Sequence, residues 1–234
     1  MFKKNYAIRY SDLDSHMCVS MTTLLEMFQD VSVCHSAATG FGLQELQKNG
    51  VAWLLQGWRI KVFRKPEYPG PIEVCTGVTE VRTVYGYRDY RVIDQGEVAA
   101  IGKATWFMYD LKKMRPCRVK ENILQSYQMI ENEYPDFVMK KLLPEQDLEE
   151  KMRFQVLRKE LDTNHHLNNV KSFQLLTEIL PEDFDYNEIL ITYRRSASYG
   201  EELSAMMKPI DNGYHCELRN QDQQSCVIVR FLKS

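Results

Sequence analysis

Asp162, Asn164 and His166 stand at alternate positions of the polar run Leu161-Asp162-Thr163-Asn164-His165-His166-Leu167-Asn168-Asn169-Val170-Lys171. A strand-like apolar stretch precedes this run and a helix-like one follows it. Histidine titrates nearest neutral pH and is the usual general base for deprotonating water. A carboxylate beside the ring holds its tautomer and stabilises the imidazolium, and an amide N–H can polarise a carbonyl. On extended backbone, alternate residues point the same way. The spacing therefore predicts that the three converge at a helix start, where unpaired N–H groups can hold a developing oxyanion. Thioester hydrolysis needs those parts. From composition alone an equally weighted reading is a polar turn whose Asp and Asn cap the helix, with His165 and His166 as neighbouring surface residues.

An internal repeat positions this loop. Residue i near Tyr6–Phe28 meets residue i+148 near Phe154–Leu176: Ile8 meets Val156, Leu13 meets Leu161, Asp14 meets Asp162, and Ser20 meets Asn168. Each copy reads as an alternating strand, Leu-Asp, a short polar loop, a residue suited to cap a helix, and an amphipathic helix. The first copy puts His16 where the second has Asn164, and Cys18 where it has His166. One copy thus carries the chemistry; the other is left a structural or substrate-binding part.

The spacing predicts helices over Met21–Ala38, Leu43–Lys48 and Asn169–Leu180. Strands are expected at Trp53–Phe63, Ile72–Val81, Tyr85–Ile93 and Ala99–Tyr109, then at Ile189–Arg195, Glu202–Pro209, Tyr214–Arg219 and Cys226–Leu232. A sheet of that kind must bury one face. The expected fold is α+β: a double hotdog of two tandem repeats, each a long helix wrapped by a curved antiparallel sheet. The expected divisions are residues 1–119, a polar linker with some helix at 120–150 crossing the outside, and the chemical repeat at 151–234.

Composition bounds the rest. With 44% apolar and 26% charged residues the chain can bury a sizeable core. A net charge of −2 gives no bulk case for nucleic-acid binding, and no basic helix-turn-helix extension is present. No apolar run approaches the roughly 20 residues that span a bilayer, and Met1–Arg9 lacks the apolar core of a signal peptide. The expectation is a cytoplasmic protein, monomeric or homodimeric. The six cysteines form no CxxC, and the histidines are not at zinc-ligand spacing relative to them. They read as reduced thiols, with no metal and no cofactor.

The run Asp162–Lys171 resembles the D-x-N-x-H-V-N-N-V-K signature of the acyl-ACP thioesterase family, and Tyr193-Arg194-Arg195 resembles its Y-R-R segment. Asp12-Leu13-Asp14, Gln29, His35, Gly40 to Gly42 and Trp53 resemble the N-terminal repeat of its bacterial members. The similarity runs in order along essentially the whole chain. It implies hydrolysis of fatty acyl-ACP to free fatty acid and ACP without a cofactor, and catalytic roles for Asp162, Asn164 and His166. It also implies an acyl pocket shaped by the N-terminal repeat, for which Met21, Leu25, Phe28 and Trp53 are candidates; taken singly, each reads more readily as core. Two positions depart from the family. Ser196 stands where its members usually have Glu, and Ala197 where plant members have Cys, so a cysteine route there is closed and Ser196 is left to orient a water. The acidic carrier could meet Lys112, Lys113, Arg115 and Arg118, or Lys151, Arg153, Arg158 and Lys159, or Arg194 and Arg195. Two alternatives stay open: an acyl-CoA thioesterase of the same fold, and a non-catalytic acyl-binding protein.

Overall fold

The computed structural model describes residues 1–234, which divide into two compact units: Met1–Gln56 with Ile60–Met139, and Gly57–Arg59 with Lys140–Ser234. No helix is long and apolar enough to cross a membrane.

The first unit begins with β1 (Phe2–Ala7), α1 (Met21–Ala38) and α2 (Leu43–Lys48), followed by β2 (Val51–Val62), β3 (Pro71–Arg82), β4 (Tyr85–Asp94), β5 (Glu97–Asp110) and β6 (Arg115–Pro116). It closes with α3 (Glu121–Ser126). Its sheet runs β1-β3-β4-β5-β2, with β6 on β5. The pairs β1·β3, β3·β4 and β4·β5 are antiparallel. Helix α1 starts where Ser20 Oγ accepts the N–H of Thr23 (3.1 Å), satisfying one of the amides that a helix start leaves open. Its stripe of Leu24, Leu25, Phe28 and Val31 is buried. Phe28 stacks on Tyr90 at 4.8 Å and occupies the space over Gly102, where a Cβ would stand 2.6 Å from the ring. The β4–β5 hairpin turns at Gln95 and Gly96, both at positive φ, the geometry that matches strand twist.

The second unit carries β7 (Glu149–Gln155), α4 (Asn169–Thr177), β8 (Glu188–Tyr193), β9 (Glu202–Ile210), β10 (Gly213–Arg219) and β11 (Ser225–Leu232). The sheet order is β8-β11-β10-β9-β7, antiparallel throughout. Phe173 of α4 packs 5.4 Å from Phe231, which places the helix over β11 and β10. Each unit therefore sets a helix against an antiparallel sheet, the hotdog arrangement expected from the repeat.

Two elements are shorter than expected. Helix α4 stops at Thr177 and not at Leu180; the chain turns there, with Leu180 N–H donating to Thr177 C=O (3.2 Å), because Pro181 disfavours helical backbone at the residue before it. Strand β8 ends at Tyr193 and not at Arg195, since the N–H groups of Arg194 and Arg195 both donate to Cys226 C=O and the ladder loses its alternation.

Residues 120–139 pack within the first unit and residues 140–150 within the second. Ile123 and Tyr127 join a buried cluster with Val78 and Met108, and Ile130 fills the space over Gly77. Further along, Leu142 packs on Leu190 and Ile228 and its N–H donates to Thr192 Oγ1 (2.9 Å). Glu145 then meets Arg230 (2.7 Å) and Lys208, while its own N–H donates to the buried Glu217 (2.8 Å).

Candidate active site

The loop at Asp162 is a tight turn. Asp162 N–H donates to His166 C=O (2.7 Å), His165 N–H donates to Asp162 C=O (3.1 Å), and His165 sits at φ +61°. Asp162 Oδ1 accepts the backbone N–H groups of Asn164 (2.8 Å) and His166 (3.1 Å), the local bonding by which Asp organises turns. Leu161 pairs with Leu167 across the base of the turn, and His166 bridges to Ser198. Leu167 N–H donates to Ala197 C=O (2.7 Å), which joins the segment after β8 to the loop.

The same bonds recur in the first unit. Asp14 Oδ1 accepts from His16 (2.9 Å) and Cys18 (3.1 Å), Asp14 N–H donates to Cys18 C=O (2.8 Å), and Met17 stands at φ +60°. Leu13 pairs with Val19, and Val19 N–H donates to Pro66 C=O (2.9 Å). Pro66 thus corresponds to Ala197, and Lys65 to Ser196. Both loops are entered through a 3₁₀ turn, Tyr10–Asp12 in one and Arg158–Glu160 in the other.

Two features predicted for an extended loop differ here. Because the backbone turns, residues 162, 164 and 166 do not share one direction by strand alternation. Asp162 holds the backbone of His166, and its carboxylate makes no hydrogen bond to the imidazole. The helix start is also occupied. Asn168 Oδ1 accepts the N–H groups of Val170 (2.8 Å) and Lys171 (3.4 Å), so those amides are satisfied by a cap and do not wait for an oxyanion.

What the turn leaves for chemistry is compact. Asp162 and His166 are half-buried, Asn164 and Ser196 are exposed, and all four belong to segments joined by the bonds above. In the first unit the second carboxylate oxygen of Asp14 is met by Lys65 Nζ at 3.1 Å. Burial raises the Asp14 carboxyl, but the Cys18 amide and Lys65 more than offset it and hold the group below its ordinary range. In the second unit the equivalent position is Ser196, and Asp162 Oδ2 has no protein donor. The Asp162 carboxylate thus has one oxygen fixed by two amides and the other without a protein donor.

One supporting residue was noted in the sequence only as part of a segment. The Tyr193 hydroxyl donates to Asn169 C=O (3.2 Å), tying the end of β8 to the first turn of α4; burial pushes its phenol well above the usual range. Its signal was an aromatic hydroxyl at a strand end, beside two arginines.

The acyl-pocket candidates lie in the first unit. Met21 opens α1 and is half-buried; Leu25 and Phe28 are fully buried. Trp53 covers Gly86, where a Cβ would meet the indole at 3.2 Å, and its Nε1 is buried without an acceptor. Leu25 and Phe28 are thus packed within the first unit with no surface open to solvent. Trp53 adds a donor that the protein itself leaves unused.

The acyl-ACP thioesterase N-terminal domain matches residues 1–127, and the acyl-ACP thioesterase C-terminal domain matches residues 144–230. The chain is 23% identical over 246 residues to a chloroplastic palmitoyl-acyl carrier protein thioesterase of Cuphea hookeriana, covering 94% of this chain and 58% of that protein. It is 27% identical over 231 residues to a chloroplastic acyl-[acyl-carrier-protein] hydrolase of Cuphea viscosissima, covering 88% and 55%. It thus spans little more than half the length of these curated relatives. Among solved structures, the 12:0-ACP thioesterase of Umbellularia californica superposes with a TM-score of 0.86 at 18% identity, over 99% of this chain and 96% of that one. An acyl-ACP thioesterase of Bacteroides thetaiotaomicron gives 0.85 at 17% identity, over 98% and 96%. These likenesses share the fold, and the two domain matches in tandem cover both halves of the sequence: the chain belongs to the acyl-ACP thioesterase family.

Proposed function

We propose that this chain hydrolyses fatty acyl-ACP thioesters to free fatty acid and ACP, by attack of a water positioned at Asp162 and His166. The observation that carries the reading is the duplicated turn. Both copies keep the carboxylate as a brace, and only the second leaves its outer oxygen open and places an imidazole and a side-chain amide on the same turn.

In this reading Asp162 Oδ2 and His166 hold the water and take its proton, while Ser196 lends a hydroxyl to orient it. The Asn164 amide donates to the thioester carbonyl, whose oxygen gains charge as water adds. Collapse of the tetrahedral adduct breaks the carbon–sulfur bond, and the proton taken from water goes to the departing thiolate. The acyl-pocket candidates are Met21, Leu25, Phe28 and Trp53 of the first unit, of which Met21 and Trp53 are only half-buried. A cytoplasmic location goes with this reading: all six cysteines are free thiols, as suits a reducing compartment.

The test is release of free fatty acid from acyl-ACP across chain lengths. His166→Ala and Asp162→Asn should each lower turnover by about 10²- to 10⁴-fold, the usual weight of a positioned acid or base. Full activity in both variants removes the assignment.

A further inference from the structure

We infer that the rim of the second unit's turn, formed by Arg158, Lys159, Arg194 and Arg195, is the docking surface for an acidic carrier protein. This rests on the hydrolase reading above and adds where the carrier is held.

The four cations lie on the two segments that flank the turn. Arg158 and Lys159 belong to the 3₁₀ turn leading into Asp162, and Arg194 and Arg195 precede Ser196. All four are exposed, and none is in an ion pair. The two nearby carboxylates are turned to the backbone: Glu160 accepts the N–H of Leu157 (2.8 Å) and Glu201 that of Ser198 (3.1 Å). The first repeat supplies an internal comparison. Its equivalent positions are Tyr10, Ser11, Phe63 and Arg64. Three are uncharged, and the fourth is neutralised by Asp94 at 2.6 Å. Free positive charge thus gathers around the turn with the open carboxylate and not around its twin.

Apolar surface accompanies the charge. Tyr199 is 53% exposed beneath the Arg158 guanidinium (4.5 Å to the ring), and Leu157 is 44% exposed. Cations with apolar side chains between them fit a protein surface of carboxylates interleaved with apolar residues; phosphate alone would use only the cations. The other basic candidates suit this less well. Lys151 pairs with Glu149, and Arg153 with Glu150 and Glu202. The hairpin cations Lys112, Lys113, Arg115 and Arg118 are exposed, but they belong to the first unit and are on neither of the two segments that carry the turn's rim.

The test uses the purified full chain with Arg158→Gln/Lys159→Gln, Arg194→Gln/Arg195→Gln and the four combined. A Lys112→Gln/Lys113→Gln/Arg115→Gln variant reports on the hairpin. Substrates are acyl-ACP, acyl-CoA and an uncharged acyl N-acetylcysteamine thioester. Binding of acyl-free holo-ACP is measured alongside. Exposed charges contribute modestly one at a time and additively when separate. The combined rim variant should therefore raise KM for acyl-ACP and the dissociation constant for holo-ACP by about 10-fold or more. Its dependence on salt should be shallower than that of the unaltered chain. Unchanged KM and binding overturn the proposal, as does a loss that appears only in the hairpin variant. An equal loss on acyl-CoA assigns the rim to phosphate, and an equal loss on the uncharged thioester shows damage to the turn; either outcome also overturns it. If the unaltered chain hydrolyses no thioester, the hydrolase reading fails by itself, and holo-ACP binding still decides the docking surface.

Discussion

Asp14 and Asp162 make the same pair of backbone hydrogen bonds and differ in what meets the second carboxylate oxygen: Lys65 Nζ stands 3.1 Å from Asp14 Oδ2, whereas Asp162 Oδ2 has no protein partner. The brace and the proposed chemistry are therefore separable at Asp162. Asparagine keeps an oxygen to accept both N–H groups and removes the charge. Alanine removes both.

The separation predicts unlike outcomes for two substitutions. Asp162→Ala and Asp14→Ala should each destabilise by about 1–3 kcal/mol, the range for losing charge-assisted bonds to one exposed and one half-buried amide. Asp162→Asn should cost less than about 1 kcal/mol while abolishing most fatty-acid release. Urea unfolding measures the first effect and the release assay the second. A stability loss for Asp162→Asn as large as for Asp162→Ala would mean that the carboxylate is mainly structural.

Much of the frame is legible in the amino-acid sequence. Helix α1 has Ser20 as its cap, and the strands read as apolar runs between polar segments. The bonding of the repeat was legible only as an aligned Leu-Asp and a cap position. The turn itself was not. His165 and Met17 at positive φ carry no glycine to announce them, so alternation suggested extended backbone where Asp162 folds the loop back on itself. The packing of residues 120–150 was hidden for another reason. Ile123-Leu124, Met129-Ile130 and Leu142-Leu143 are short apolar pairs in a polar stretch, without a period of their own, and Ile123, Ile130 and Leu142 pack against residues far away in sequence.

A packing prediction follows from Phe28 and Gly102. A methyl group on Gly102 would stand 2.6 Å from Phe28 Cε2. Gly102→Ala should destabilise by about 1–3 kcal/mol through overpacking. Pairing it with Phe28→Leu should recover part of the loss, because the two changes occupy one space and their effects are not additive. Strictly additive losses in a thermal-unfolding double-mutant cycle would show that the ring has room to move.

His35 gives a pH prediction. Burial, then the Arg88 guanidinium, then the N-terminal amine lower its pKa to about 4, and Arg88 Nη1 lies 2.9 Å from His35 Nδ1. Unfolded, the ring titrates near 6.5. Between these values the unfolded chain holds the extra proton, so this group's contribution declines as pH falls from about 6.5 to 4 and is level below that. His35→Asn keeps an acceptor for Arg88 and removes the titration. The variant's stability should fall less steeply than that of the unaltered chain across that window. The buried Glu217 acts at lower pH. Burial raises its pKa, but hydrogen bonds from His215, Arg219, Ser225 and the Glu145 amide outweigh this and hold it at about 2, so its contribution is lost as pH falls from about 4.5 towards 2. Parallel pH profiles of the two proteins between pH 4 and 6.5 would exclude the His35 account.

The last prediction uses the repeat as its own control. Ser196 corresponds to Lys65, the residue that occupies Asp14 Oδ2 in the first unit. Ser196→Lys should reproduce that ion pair on Asp162, since the backbone around both positions is bonded alike. The carboxylate would then be neutralised and its open oxygen taken, so fatty-acid release should fall at least tenfold. Stability should hold or rise by up to about 1 kcal/mol, the usual limit for a partly exposed pair. Ser196→Ala separates the hydroxyl from the charge: it should lower turnover less than Ser196→Lys, because it leaves Asp162 Oδ2 open. Ser196→Lys with undiminished turnover would show that Asp162 Oδ2 does not act on the water, and His166 would then be the base to test.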